Sequence, residues 1–205
     1  MAFSMIRTVD AAAEPLSTAE AKLHLRVIDT DEDTLIGDMV AAAREWLEAN
    51  THIALINQTW VFRSDRFPVG SRPLALPRPP LSSVTSVAYT DSDGAGQTLT
   101  GGGTDYDIAT GERPGLLVPK YDTVWPAARR ELGSVVITYV AGYGASSSAV
   151  PEDLRHALQL IVGHFYRNRE AVTDRRQAEV PMAVEALLAN YQFDIGQFQF
   201  DPEAV

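Results

Sequence analysis

The stretch Asp31-Glu-Asp-Thr-Leu-Ile-Gly-Asp-Met-Val-Ala-Ala-Ala-Arg-Glu-Trp-Leu-Glu48 has the clearest periodicity in this sequence. Its apolar residues, such as Leu35, Met39, Ala43 and Leu47, recur at helical spacing, and charged residues fall largely opposite them. Carboxylates at its start suit the positive end of a helix dipole. The pattern predicts an amphipathic helix from about residue 31 to residue 50 or 51.

Three further helices are predicted around this one. Ser17-Thr-Ala-Glu20 has the spacing of a capping box, which starts a short helix that ends near residue 26. Pro151 suits the first position of a helix, and an apolar stripe runs from there to Phe165. Pro181 opens a short helix through Tyr191.

Between these helices the apolar period changes from that of helix to that of strand. Five segments are rich in β-branched and aromatic residues, namely Thr59–Arg63, Val84–Tyr89, Tyr106–Ile108, Leu116–Val118 and Ser134–Val140. The proline-rich stretch 74–81 is predicted to be extended or at a sheet edge. Small residues at 142–148 are interpreted as a linker that separates the β-rich region from the helix opened by Pro151.

The expected fold is therefore α+β. It has a mainly helical core, with helices from about residues 17, 31, 151 and 181, and an inserted antiparallel β-rich region. The expected parts are an N-terminal helical part (1–56), the β-rich insertion (57–142), a C-terminal helical part (143–191) and an extended aromatic tail (192–205).

The composition is that of an ordinary globular protein and is acidic. The 205 residues are 45% hydrophobic, carry a formal charge of −10 and include no cysteine, which excludes a disulfide framework and a thiolate metal site. Net acidity argues against a protein that coats nucleic acid unaided. Without a basic start and apolar run, or about 18 consecutive apolar residues, neither a signal peptide nor a membrane span is expected. We expect a protein made in the reducing cytoplasm.

No stretch of the sequence has the pattern of a catalytic, cofactor-binding or metal site. His156 and His164 lie about 12 Å apart along one helix, too far for a shared zinc ion. The run from Asp91 to Gly94 begins like a calcium loop but lacks the later ligands. Asp105 and Asp107 share one face of a strand and could act as paired acids, although any two acids at this spacing look the same. The glycine-rich stretches lack the phosphate-loop pattern.

Two stretches are candidate contact surfaces. Aromatic residues are unusual in disordered termini, so the tail is expected to dock on its own domain or on another chain, through Tyr191, Phe193, Ile195, Phe198 and Phe200. A basic loop could face a partner or DNA phosphate, and otherwise would be solvated; its residues are Arg167, Arg169, Arg175 and Arg176.

The order of these features resembles the phage head–tail connector (adaptor) family of long-tailed phages and phage-like particles. The resemblance is carried by Leu16–Glu48, with its capped helix, acidic run and Ala41-Ala-Ala-Arg-Glu-Trp46, and by 150–191. The second stretch includes Val150-Pro-Glu-Asp-Leu-Arg155 and His164-Phe-Tyr-Arg-Asn-Arg-Glu-Ala-Val172. A β-rich insertion between the helical parts fits the longer members.

The resemblance implies a ring, typically of twelve subunits, beneath the portal protein. Such a ring joins the packaged head to stopper or tail proteins and leaves a channel through which DNA passes without sequence-specific contacts. It implies no catalysis, no cofactor and no membrane contact, with assembly in the bacterial cytoplasm and residence in the particle neck. Two alternatives remain open: another neck component, such as a stopper or tail terminator, or a small carbohydrate-binding or hydrolytic domain that uses Asp105 and Asp107.

Overall fold

A computed structural model describes residues 3–168 and 182–193 of the chain. Its order of elements alternates helical and β-rich parts, and the fold is α+β, as predicted. The expectation of a mainly helical core with a β-rich insertion was wrong in its emphasis, because helices and strands take nearly equal shares of the chain, 29% and 28%. Part of the difference lies at residues 3–9, within the segment expected to be helical, which form a strand.

Four α-helices are described: α1 (Thr18–Leu25), α2 (Asp33–Thr51), α3 (Glu152–Arg167) and α4 (Met182–Leu188). The capping box at α1 is present, since the Ser17 hydroxyl accepts from the Glu20 amide at 3.2 Å and Glu20 accepts from the Ser17 amide at 2.8 Å. Arg155 of α3 forms an ion pair with the same Glu20. The cap therefore also joins α1 to α3.

The helices share one hydrophobic core. Helix α2 packs on α3, and α1 and α4 cover them. The core contains fully buried aliphatic side chains from all four helices and from the segment after α2, among them Leu16, Ile36, Leu47, Leu55, Leu154, Leu158 and Val184. Burying each leucine or valine contributes about 1.5–3 kcal/mol, so this core is a main source of stability for the helical part.

Eight strands form two antiparallel sheets. The strands are β1 (Phe3–Val9), β2 (Gln58–Ser64), β3 (Leu74–Leu76), β4 (Leu81–Thr90), β5 (Gly96–Leu99), β6 (Tyr106–Ala109), β7 (Gly115–Pro119) and β8 (Val135–Ala141). The larger sheet has the order β1-β2-β8-β4-β5, and the smaller has the order β3-β7-β6. The proline-rich stretch supplies β3 at a sheet edge, as predicted from its missing amide donors.

A second hydrophobic core lies between these sheets and is rich in aromatic side chains. The rings of Phe67 and Trp125 stack with centroids 5.0 Å apart, and Trp125 donates from its indole nitrogen to the Arg72 carbonyl at 2.8 Å. Tyr139 is fully buried and donates to the Pro77 carbonyl at 2.9 Å. These contacts fix the long loops before β3 and before β8 against the sheet.

Residues 142–144, at the start of the stretch interpreted as a linker, form a tight joint. The Tyr143 amide donates to the Leu55 carbonyl at 3.1 Å, and the Asn57 amide donates to the Gly144 carbonyl at 2.9 Å. Gly142 has φ +142°, and a side chain there would collide with the backbone of Asn57. The chain enters and leaves the β-rich region through this paired crossing, which ties the β-rich region to the helical core.

Candidate interaction surfaces

The root of the aromatic tail is held by its own subunit. The Tyr191 hydroxyl donates to the Asp153 carboxylate of α3 at 2.7 Å. Arg113, from the turn between β6 and β7, lies over the Tyr191 ring at 5.5 Å and over the Tyr143 ring at 5.7 Å. Burial, together with the hydrogen bond and negative charge of Asp153, raises the pKa of Tyr191 to about 12.

The same contacts surround a small cavity of about 150 Å³ between the two parts of the subunit. Its lining comes from the end of α2, the β3–β4 connection and the tail root, and comprises Ile53, Pro79, Arg113, Tyr143 and residues 190–193. The Phe193 amide donates to the Thr51 carbonyl at the end of α2, at 3.0 Å. Of the five residues proposed for docking, Tyr191 and Phe193 thus contact their own chain, and Ile195, Phe198 and Phe200 lie outside the described residues.

Only the first of the four arginines in the proposed basic loop is among the described residues. Arg167 is exposed at the end of α3, whereas Arg169, Arg175 and Arg176 lie outside the described residues. The preceding Tyr166 hydroxyl donates to Glu32, just before α2. The end of α3 therefore lies beside the residue that precedes α2.

A buried charge network, which sequence reasoning missed, joins α2 to both β1 and β2. Glu48 is 4% exposed and accepts from the Leu55 amide at 2.8 Å and from the Gln58 amide nitrogen at 2.8 and 3.0 Å. Arg44, one turn earlier, is 7% exposed and pairs with Glu14 at 2.8 Å. The sequence pattern places Arg44 and Glu48 on the polar face of α2, where charges four residues apart are ordinarily solvated. In the structure, β1 and β2 cover that face.

The network shifts the pKa of Arg44 upward. Burial alone would lower the pKa, but the hydrogen bond that Arg44 donates to Glu14 and the charges of Glu14, Glu48 and Glu45 outweigh that effect. The arginine therefore stays charged in the interior. Because a buried charge is costly without its partners, this cluster fixes how α2 meets the first two strands.

Two further arginines approach Trp60 of β2 beside this network. The guanidinium carbons of Arg7 and Arg78 lie 5.9 and 5.2 Å from the centre of its ring, within cation–π distance. Arg78 donates to the Glu48 carbonyl at 2.7 Å, and burial lowers the pKa of its guanidinium. With Glu45, Glu48 and Ala49 these residues line an open cavity of about 240 Å³.

The carboxylates considered for catalysis, Asp105 and Asp107, and the start of the calcium-like run, Asp91, take part in local structure. Asp105 accepts from the Thr100 amide at 2.6 Å, and Asp107 lies 3.9 Å from the Lys120 ammonium. Asp91 accepts from the amides of Asp93 and Ala95 and from Gln97, whose hydrogen bond is the main cause of its lowered pKa. These contacts stabilise local chain structure. Among the described residues, no three His, Asp or Glu side chains lie together as a metal site.

No helix within 3–168 or 182–193 has the length and apolar character needed to cross a lipid bilayer. The surface does carry large exposed apolar side chains, which are candidate protein contacts. They occur on β1, at the α1–α2 corner (Leu23 and Ile28) and on the loops joined by Trp125 (Val69, Tyr121 and Val124).

Comparison with known proteins relates this arrangement to the necks of phage-like particles. Nearly the whole chain resembles a subunit in the neck of an empty GTA particle computed with C6 symmetry, with 25% identity, a TM-score of 0.74, and coverage of 95% of this chain and 96% of that one. A subunit in the neck of a native GTA particle computed with C12 symmetry matches with 25% identity, the same coverage and a TM-score of 0.67. A subunit of the virion of a native gene transfer agent (GTA) particle shares the fold at 24% identity, a TM-score of 0.74 and the same coverage.

The sequence itself gives a second, independent match. No curated protein is significantly similar to the chain. Residues 17–96, from the capping box of α1 to the start of β5, match the family described as phage gp6-like head-tail connector protein. Together with the likeness of nearly the whole chain to neck subunits, this match shows that the chain is similar to phage gp6-like head–tail connector proteins.

Proposed function

We propose that copies of this chain form a closed ring of twelve subunits beneath the portal protein. The ring joins the DNA-filled head to a stopper or tail protein and leaves a central channel. The observation that carries the proposal is the match of 95% of the chain to a subunit of a GTA neck, a particle region computed with C6 and C12 symmetry. Cyclic symmetry requires that two different faces of each subunit meet around a ring.

The rigid joint between the two cores supports a mechanical role. Three contacts connect the helical part to the β-rich part: the paired crossing at Tyr143 and Gly144, the hydrogen bond from Gln58 to Glu48, and the position of Arg113 over the Tyr191 ring. A subunit built in this way transmits force between the partners at its two ends. It needs no catalytic step and no cofactor, and we propose a structural role alone.

The tail and the basic loop remain proposed contact regions. Tyr191 and Phe193 fix the root, and we propose that the segment with Ile195, Phe198 and Phe200 anchors the ring to the portal or to a neighbouring subunit. The loop with Arg167, Arg169, Arg175 and Arg176 would face a partner or passing DNA. The formal charge of −10 suits a channel that must not hold DNA tightly, since negative walls repel phosphate.

Particles assembled without this chain test the proposal. When the gene for this chain is deleted, the heads that form in the bacterial cytoplasm are expected to carry the portal but neither stopper nor tail. Supplying the intact gene in trans should restore tailed particles. Normal tailed particles in the deletion strain contradict the proposal.

Heads from the deletion strain also distinguish a connector from a stopper or tail terminator. A connector binds the portal directly, so the deletion heads should show a bare portal by electron microscopy and mass spectrometry. If another protein ring still covers the portal, this chain acts further along the neck and the alternative is correct.

A further inference from the structure

The α1–α2 corner exposes apolar side chains that have an acidic rim. Leu23 and Ile28 are 81% and 91% exposed. Asp29 and Asp31 are exposed beside them, and neither forms an ion pair with any residue that the structure describes. Acids outnumber cations at this corner, with Asp29, Asp31, Glu32 and Asp33 against Lys22 and Arg26. We call Leu23, Ile28, Asp29 and Asp31 the acidic corner.

Backbone hydrogen bonds hold the acidic corner in one shape. The Val27 amide donates to the Lys22 carbonyl at 3.0 Å, and the Asp33 amide donates to the Thr30 carbonyl at 3.1 Å. Lys22 also forms an ion pair with Asp33 at the start of α2. Exposed apolar side chains with a polar rim are typical of protein contact sites, so this fixed corner is suited to dock on another surface.

The far end of the larger sheet exposes an apolar side chain with the opposite charge around it. Leu132, in the loop before β8, is 88% exposed. It lines an open cavity of about 270 Å³ together with four charged residues, Asp65, Arg66, Arg130 and Glu131. Neither Arg66 nor Arg130 forms an ion pair within residues 3–168 and 182–193, whereas Glu131 pairs with Arg129 at 3.5 Å. We call Arg66, Arg130 and Leu132 the basic sheet end.

The backbone of the basic sheet end is also fixed. The Ser134 hydroxyl donates to the Asp65 carbonyl at 2.9 Å, and the Arg129 amide donates to the Thr90 carbonyl at 2.8 Å. These bonds tie the loop that carries Arg130 and Leu132 to the ends of β2 and β4. The loop therefore has its shape before any partner binds.

The acidic corner and the basic sheet end lie on opposite sides of the joint between the two cores. Helix α2 begins at Asp33 and reaches Glu48 roughly 22 Å further along its axis, where Glu48 accepts from Gln58 at the start of β2. Strand β2 then runs roughly 20 Å to Ser64 beside the basic sheet end. No hydrogen bond or ion pair among the described residues joins the two surfaces, so each is free to meet another chain.

We infer that the acidic corner of one copy docks on the basic sheet end of the next copy around the ring. This inference rests on the proposed function, since a cyclic ring needs two different faces that fit each other. Asp29 and Asp31 would then pair with Arg66 and Arg130, and the exposed aliphatic side chains of both surfaces would cover one another. Opposite charges favour this contact, and like charges oppose the pairing of two identical faces.

Engineered disulfides test which faces meet, because the full chain has no cysteine of its own. Ile28→Cys and Leu132→Cys are combined in one chain, and particles are purified and run on non-reducing gels. We expect a ladder of linked chains that extends beyond the dimer. The matched control combines Ile28→Cys with Tyr121→Cys, at a side chain that is 93% exposed, and should give at least tenfold less linked chain.

The gels and electron microscopy of the same particles separate two kinds of failure. A ring of this chain in the neck without a ladder overturns the inference and leaves the proposed function standing. Dimers formed by Ile28→Cys alone or by Leu132→Cys alone also overturn the inference, because identical faces then meet. Particles without any ring of this chain overturn both.

Exchange of charge between the two surfaces provides a second test. Asp29→Arg with Asp31→Arg should lower the yield of tailed particles at least tenfold, and so should Arg66→Asp with Arg130→Asp. All four substitutions together should restore the yield to within threefold of the parent, because the pairs of opposite charge are formed again.

A control pair places the same charges elsewhere on the exposed surface. Asp93→Arg with Asp107→Arg changes two exposed acids of the β-rich region and should leave the yield unchanged, while circular dichroism checks that every variant is folded. Normal yields from either exchanged pair, or no recovery when all four substitutions are combined in a folded chain, overturn the inference.

Discussion

At the scale of single residues, the buried carboxylate of Glu48 links α2 to the segment that follows it and to β2. Its carboxylate meets a backbone amide, the Gln58 side chain and Arg44, all in the interior. The sequence showed Glu48 and Arg44 only as charges four residues apart, a pattern that fits a solvated helix face equally well. Their burial depends on β1, which lies far back in the sequence, and on the way the chain turns from α2 into β2, so it could not be predicted from the helix pattern alone.

Glu48→Ala should lower the free energy of unfolding by about 3 kcal/mol, because it leaves the buried Leu55 amide and the Gln58 side-chain amide without their acceptor and removes one of the carboxylates that face Arg44. Glu45→Ala is the matched control, since the Glu45 side chain is 53% exposed and should contribute less than about 1 kcal/mol. Chemical denaturation measures both. Equal losses in the two variants would show that the buried network does not stabilise the fold.

Tyr191→Phe should cost about 1 kcal/mol, the usual net value of one hydrogen bond, by removing the bond to Asp153. The control Tyr121→Phe changes a ring that is 93% exposed and should have no effect. Limited proteolysis should cut the Tyr191→Phe chain faster after residue 188 than the parent chain. Unchanged proteolysis in Tyr191→Phe would mean that the clamp does not hold the tail root.

The raised pKa of Tyr191 also predicts a dependence on alkaline pH. An unfolded tyrosine loses its proton near pH 10, whereas Tyr191 in the folded chain keeps it to about pH 12. The stability that Tyr191 contributes is therefore complete below pH 10 and is lost as pH rises from 10 towards 12. Denaturation between pH 8 and 12 should show a smaller alkaline loss for Tyr191→Phe than for the parent chain, and identical slopes would contradict this assignment.

At the scale of elements, local signals predicted most helices and strands. The Ser17 capping box, the apolar stripe of α2 and the prolines around β3 each act within a few residues, so the sequence shows them directly. Strand β1 was not predicted because an edge strand with exposed apolar residues lacks a regular alternation of apolar and polar residues. The joint at Gly142 was not predicted either, because small residues that permit a tight crossing of two chain segments look the same in sequence as those of a flexible linker.

Ser17→Ala should destabilise the chain by about 1 kcal/mol, as expected for loss of a helix N-cap. The control Ser71→Ala lies in the exposed loop before β3 and should leave stability unchanged. Thermal and chemical denaturation provide the comparison. A loss no greater than that of the control would show that the capping box is not needed to hold α1 on α3.

At the scale of the whole molecule, the two cores and their joint form the body of the proposed connector subunit, and the tail is its proposed anchor. Because Phe193 still packs on its own chain, the informative truncation removes residues 194–205 and keeps the root. The truncated chain should unfold at the same denaturant concentration as the parent but fail to join heads to tails. Normal yields of tailed particles from the truncated chain would reject the anchoring role.

Electron cryomicroscopy of purified particles tests the central claim most directly. We predict a closed ring of this chain in direct contact with the portal on one side and with the stopper or tail on the other, with the density fitted by both cores in the relative orientation that the joint at Gly142 fixes. Particles whose neck contains no density for this chain, or that contain it elsewhere than between portal and tail, would contradict the account.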